Sequence, residues 1–274
     1  MRPDFFGDDR TLFGIYHPPR GNPKPPVRAV VICPPFGQDY IRSHWSLRLL
    51  AGQLARKGMH VLRFDYFGIG DSLGCPSDVK TMSHWEQNVE SAIDRLLEES
   101  NADSCQLLGL RTGAALAARV ATRRSQVNSL LLWEPVDCGE HWLQMARGLH
   151  AQMIDLWVCK MQTVNDDARE EILGTIYSRE LVNDLGQELI DWDALELPHL
   201  VVDLQEYQTK FEKNNNSMQK FIGTEDEESW SDLRQLETAW LRPQTTRLIV
   251  ENVDDTFERL IQFGVLSHGQ EITS

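Results

Sequence analysis

The stretch Gln106–Val120, QLLGLRTGAALAARV, decides the fold. Its first four residues read as a strand, Thr112 to Arg124 as an Ala-rich helix, and Gly109 and Gly113 bracket the turn between them. A strand that enters a helix through so short a turn is strained and packed against neighbouring backbones, which calls for residues without a Cβ. At the apex, between Leu110 and Thr112, stands Arg111.

Outward from this turn the chain alternates strand and helix. Upstream, Leu12 to Tyr16 predicts a short strand. Val27 to Cys33, rich in β-branched residues and stopped by Pro34 and Pro35, predicts a buried one. Ser43 to Lys57 carries apolar residues at helical spacing and ends at Gly58; His60 to Asp65 predicts the next strand. Ser83 followed by Glu86 forms a capping-box pattern that opens a helix through Val89, Ile93, Leu96 and Leu97. Downstream, Ser129 to Trp133 predicts a further strand. Alternation with short connections implies a mostly parallel sheet covered on both faces, the α/β class, because every parallel step needs a crossover. From Cys138 to about Asp193 the pattern is helical, which predicts a helical cap (138–195) inserted into a core of residues 1–137 and 196–274. His199 to Leu204 resumes the sheet, Thr246 to Glu251 predicts its last strand, and Asp255 opens a final helix ending at Gly264.

Composition narrows the function. The 274 residues carry 27 Lys and Arg against 41 Asp and Glu, a net charge of −14, which argues against a nucleic-acid partner. No apolar run reaches the length of about 18 residues that a membrane span needs. The first ten residues lack the apolar core of a secretory signal. Five cysteines without a CxxC pair fit a reducing, cytoplasmic setting with no metal site and no cofactor.

Three motifs follow predicted strands in order: Pro34–Gly37 (PPFG), Asp65–Ser72 (DYFGIGDS) and Gly109–Gly113 (GLRTG). Together they resemble the α/β-hydrolase superfamily in its serine aminopeptidase-like branch. That resemblance implies a nucleophile elbow at Gly109, Leu110, Arg111, Thr112 and Gly113, and an oxyanion loop at Phe36, Gly37 and Gln38. Phrases such as PPFGQD, FDYFGIGDS, GLRTGAALA and LLLWEPVDCGEHWLQMARGL are similar to the exosortase A system-associated hydrolases of bacterial exopolysaccharide loci. This closer resemblance runs from about Phe5 to Ala151 and implies a setting beside polysaccharide export or protein sorting.

The elbow departs from hydrolase chemistry. A guanidinium stays protonated and has no lone pair for attack on a carbonyl. The stretch Glu251–Asp255, after the predicted last strand, offers no histidine, and the next one is His268. A perfect Gly-x-Ser-x-Gly at Gly70–Gly74 is a decoy on this reading, because Cys75 and Pro76 follow Ser72 where a helix should begin. The expected function is therefore non-hydrolytic: a fold that binds an anionic small molecule or a protein partner at Arg111. A cation at a helix amino end needs an anion nearby. An internal carboxylate from Asp39, Asp65, Glu134 or Glu251 is favoured over a ligand alone. Two alternatives are an active serine or cysteine hydrolase using a displaced nucleophile such as Ser72 or Cys105, and an interaction module built on the acidic run Glu225–Glu228 and the Trp-rich cap.

Overall fold

The computed structural model describes residues 1–21, 26–156, 162–208, 219–225, 230–232, 239–240 and 242–262, with backbone alone for Glu206 and residues 254–262. In chain order the strands are β1 (Arg2–Phe6), β2 (Leu12–His17), β3 (Ala29–Cys33), β4 (His60–Phe64), β5 (Cys105–Leu110), β6 (Val127–Trp133), β7 (Arg169–Ile172), β8 (Thr175–Ser178), β9 (His199–Leu204) and β10 (Gln219–Thr224). The principal helices are α1 (Gln38–Arg56), α2 (Met82–Ser100), α3 (Thr112–Ala121), α4 (Gly139–Leu156), α5 (Arg179–Leu185) and α6 (Pro243–Gln262). Eight strands form one sheet in the order β1-β2-β4-β3-β5-β6-β9-β10. Pairing is antiparallel for β1 with β2 and β2 with β4, and parallel from β4 onward.

Every residue of β3, β5, β6 and β9 is buried, as parallel strands covered on both faces require. Successive side chains feed two cores. Val31, Cys33 and Leu107 pack with Trp85, Val89 and Ile93 of α2 and the alanines of α3. Val30, Ile32, Leu108 and Leu110 pack with Leu47, Leu50 and Leu54 of α1 and Ile249 and Val253 of α6. Each such aliphatic side chain contributes about 1.5–3 kcal/mol by leaving water.

Four local expectations are corrected. Thr246–Glu251 is helix, not strand: Pro243 starts α6, and Thr245, Thr246, Ile249 and Val253 form one buried stripe at helical spacing. The sheet instead closes with β10, while β1 adds an edge strand that pattern reading passed over. The segment between β6 and β9 holds a hairpin, β7–β8, turning through Leu173 and Gly174 at φ 50 and 80, beside helices α4 and α5. Finally, α2 begins at Met82 and lacks the capping box. Asp184 of α5 accepts from the Met82 N–H at 2.7 Å, and Glu86 pairs with Arg119 and Arg123 at 2.5 and 2.6 Å.

His17, at the end of β2, is 4% exposed and accepts from Nε of Arg63 at 3.4 Å. Burial, then the neighbouring guanidinium, lowers its pKa from 6.5 to about 4. A depressed histidine stabilises the fold above its unfolded value, and that stability is lost as pH falls through the window from 6.5 toward 4. Urea midpoints across this window should fall for the native chain and fall less for His17→Gln. Equal slopes for the two proteins would exclude this origin.

Candidate functional site

The elbow exists as the glycines require. A Cβ on Gly113 would lie 2.3 Å from the carbonyl oxygens of Cys33 and Pro34, and one on Gly109 would lie 2.4 Å from Cα of Ala114. Arg111 between them adopts φ 54 and ψ −122, a region that costs a non-glycine residue of order 1–3 kcal/mol. Its N–H donates to the Trp133 carbonyl at 2.9 Å, and its own carbonyl accepts from Ala114 and Val136 at 3.0 and 3.3 Å. The elbow is thus tied to the exit of β6 on one side and to α3 on the other.

The side chain sits between an acid and an indole. Arg111 Nε lies 3.5 Å from an Asp39 carboxylate oxygen, and its guanidinium carbon lies 4.9 Å from the centre of the Trp230 ring. The Nε–Asp39 contact lacks hydrogen-bond alignment, although Nε is shielded from solvent. The side chain keeps 14% of its surface exposed and lines a cleft of about 230 Å³. Asp39 is buried and also accepts from the Trp142 indole N–H at 3.3 Å. The Arg42 guanidinium carbon is 4.8 Å from the same ring, so one indole contacts two cations. Such stacking contributes about 2 kcal/mol or more when desolvated.

The remaining predicted partners lie elsewhere. Asp65 accepts from the Tyr40 hydroxyl at 2.8 Å and from the Asp71 N–H at 3.0 Å. Glu134, at φ 43 after β6, accepts from the Trp230 indole N–H. Glu251 is exposed on α6 and pairs with Arg247 at 2.6 Å, because its segment is helix and does not end a strand. Asp39 alone of the four is ion-paired to Arg111. The Ser72 hydroxyl donates to the Asp65 carbonyl at 2.6 Å and accepts from the Phe13 N–H at 2.8 Å, so it pins a loop to β2. Cys105 is fully buried in β5, and burial pushes its thiol up to about 12.

Two further features shape the site. Trp230, buried beyond β10, follows the last strand among the described residues. Sequence reading missed it because β10 itself was missed; His268 lies outside the described residues. In the oxyanion loop, the Phe36 N–H donates to the Thr112 hydroxyl at 3.3 Å. Phe36 is enclosed by Trp85, Trp142 and Tyr177, with ring centres 4.6, 5.3 and 6.5 Å away. Tyr177, from β8, also covers Gly37. The cleft is completed by Pro135, Val136, Asp137, Cys138, His141, Met145, Asp203, Leu204 and Tyr207. Cys138 and His141 are new to the site; their signal was their place just after the β6 exit. Among the described residues, no group of three or more His, Cys, Asp or Glu side chains could hold a metal ion, and no helix is long and apolar enough to cross a membrane.

The serine aminopeptidase, S33, family profile matches residues 24–181, more than half of the sequence, and the chain belongs to that family. Its fold is the α/β-hydrolase fold. The chain is similar to Est1E from Butyrivibrio proteoclasticus, solved with ferulic acid bound, at 17% identity and a TM-score of 0.61, covering 92% of this chain and 96% of that one. It is also similar to proline iminopeptidase from Mycobacterium smegmatis, at 16% identity and a TM-score of 0.55, covering 90% and 96%. No curated protein matches the sequence.

Two substitutions probe this geometry. Gly113→Ala should lower unfolding free energy by about 1–3 kcal/mol in urea titrations, because the methyl meets two backbone carbonyls that have no room to move. Arg111→Gln should cost about 1–3 kcal/mol by removing a charge beside buried Asp39, with Arg42 still close enough to limit the loss. A cost below ~0.5 kcal/mol would mean that the contact with Asp39 is energetically idle.

Proposed function

We propose that this protein is a non-hydrolytic member of its family that binds a small anionic molecule in the cleft, with the Arg111 guanidinium as the anchor. The observation that carries this reading is the cation at the elbow. It has no lone pair to offer a carbonyl, it is held by Asp39 and Trp230, and it lines an open cleft. A guanidinium whose back is fixed and whose front reaches a cavity suits a carboxylate or phosphate, which it grips through paired N–H donors. The amino end of α3 adds the favourable field of its free N–H groups.

Three further features support the absence of serine chemistry. Trp230 offers only an N–H donor where a base is needed, Phe36 spends its N–H on Thr112, and Ser72 spends its hydroxyl on backbone. The resemblance to exosortase A system-associated hydrolases suggests that the anion arises around polysaccharide export or protein sorting in the cytoplasm. A docking role for Glu225–Glu228 has less behind it, since residues 226–229 lie outside those described.

Calorimetric titration with inorganic phosphate and with benzoate should show binding of at least one, weakened tenfold or more in Arg111→Gln; each lost charge-assisted hydrogen bond is worth about 1.5–3 kcal/mol. A fluorophosphonate probe should leave the chain unlabelled. Labelling of a serine that is abolished by its replacement with alanine would overturn the proposal.

A further inference from the structure

The cleft holds more than a cation. Cys138 and His141 line the same cavity as Arg111, placing a nucleophile and a proton acceptor three residues apart at the first turn of α4. Cys138 is the residue before α4, and its carbonyl accepts from the Trp142 N–H at 3.3 Å, the first hydrogen bond of that 18-residue helix. The sulfur therefore stands where the helix field favours developing negative charge. His141, three residues on, is on the exposed side of the same turn. Neither side chain is engaged in a hydrogen bond with a described group.

The backbone holds this turn against the elbow. The Val136 N–H donates to the Arg111 carbonyl at 3.3 Å, the Leu189 N–H to Asp137 at 2.7 Å, and the Gly139 N–H to Gln187 at 3.1 Å. Residues 136–139 are thus clamped between the elbow and the chain that follows α5. The other described thiols differ in kind. Cys33 and Cys105 are fully buried, and burial raises the pKa of both, while Cys75 is exposed outside the cleft.

We infer that Cys138 is a reactive thiol of the cleft, selective for small carbon electrophiles that carry a carboxylate close to the reacting carbon. The inference rests on Arg111 being an anion anchor, as proposed above. Arg111 would hold the carboxylate while the sulfur attacks the adjacent carbon. In the reaction with iodoacetate, the thiol proton passes to His141 or water, the sulfur lone pair forms the C–S bond, the C–I bond breaks and iodide leaves. With an acyl donor the same attack would form a thioester and expel the donor's leaving group. Direct contact with the guanidinium, working against the Glu134, Asp137 and Asp203 carboxylates of the same cleft, favours the anionic reagent over its neutral amide, since iodoacetate and iodoacetamide are close in size.

The test is competitive alkylation of the full chain with limiting iodoacetate or iodoacetamide, read by peptide mass spectrometry with Cys75 as internal reference. Cys138 should show an iodoacetate-to-iodoacetamide rate ratio about tenfold above that of Cys75, the factor that one charge-assisted contact in the transition state supplies. Arg111→Gln should bring the two ratios together. Because that variant is destabilised, the native chain provides a second reading: excess benzoate or phosphate should slow iodoacetate at Cys138 and leave Cys75 unchanged. His141→Gln should lower the Cys138 rate near neutral pH while keeping the preference for iodoacetate. Equal ratios at Cys138 and Cys75, unaffected by competing anions, would overturn the inference. If calorimetry in that case still shows anion binding lost in Arg111→Gln, the anion site stands and only the thiol role fails; if it shows none, both readings fall.

Discussion

The site is organised by one contact set: a guanidinium in a strained turn, set against a buried carboxylate and a buried indole. Arg111 occupies the elbow at φ 54, and its side chain is bounded by Asp39 from α1 and Trp230 from the segment after β10. These three residues are far apart in sequence, and the sheet brings them together at the carboxyl ends of its strands. The charge of Arg111 makes burial of Asp39 tolerable. Trp230 screens that pair from water and ties it to Glu134 through its indole N–H. Such arrangements persist because an unpaired buried charge costs several kcal/mol, more than most single contacts return.

Around this centre the α/β-hydrolase architecture frames the cleft. The elbow glycines still permit close approach of β3 and the following loop, and the strained backbone of the nucleophile position is kept. The oxyanion-loop N–H at Phe36 is turned to Thr112, and the aromatic residues Trp85, Trp142 and Tyr177 close over Phe36. What remains open is a modest cleft lined by the Arg111 cation, by acidic residues and by the Cys138–His141 turn.

Stability and site are linked through the segments between β6 and β9. Glu170 in the β7–β8 hairpin is buried and takes Arg147 from α4 and Arg179 from α5 at 2.6 Å each, and these contacts lower its pKa. That ion network fixes the hairpin, and the hairpin carries Tyr177 onto the oxyanion loop. The cap segment thus shapes the cleft by covering Gly37, and it is held both by this ion network and by buried apolar residues such as Ile172, Leu181, Val182 and Leu185.

Much of this was legible in the chain. The apolar runs of β3, β5 and β6, the glycines at 109 and 113 and the arginine between them follow from local rules of burial, turn sterics and side-chain chemistry. The loop setting of Ser72 was legible too, because a proline after Cys75 denies it a long helix. What local rules did not reach depended on long-range packing. Thr246–Glu251 is rich in β-branched residues and reads as a strand, yet Pro243 and the buried stripe at Thr245, Ile249 and Val253 make it a helix against α1. With that strand misplaced, Trp230 had no recognisable role, and Glu251 looked like a partner for an arginine it never meets. The choice of Asp39 over three other carboxylates was likewise decided in three dimensions, because ion pairing depends on distance across elements and a sequence records only order along one chain.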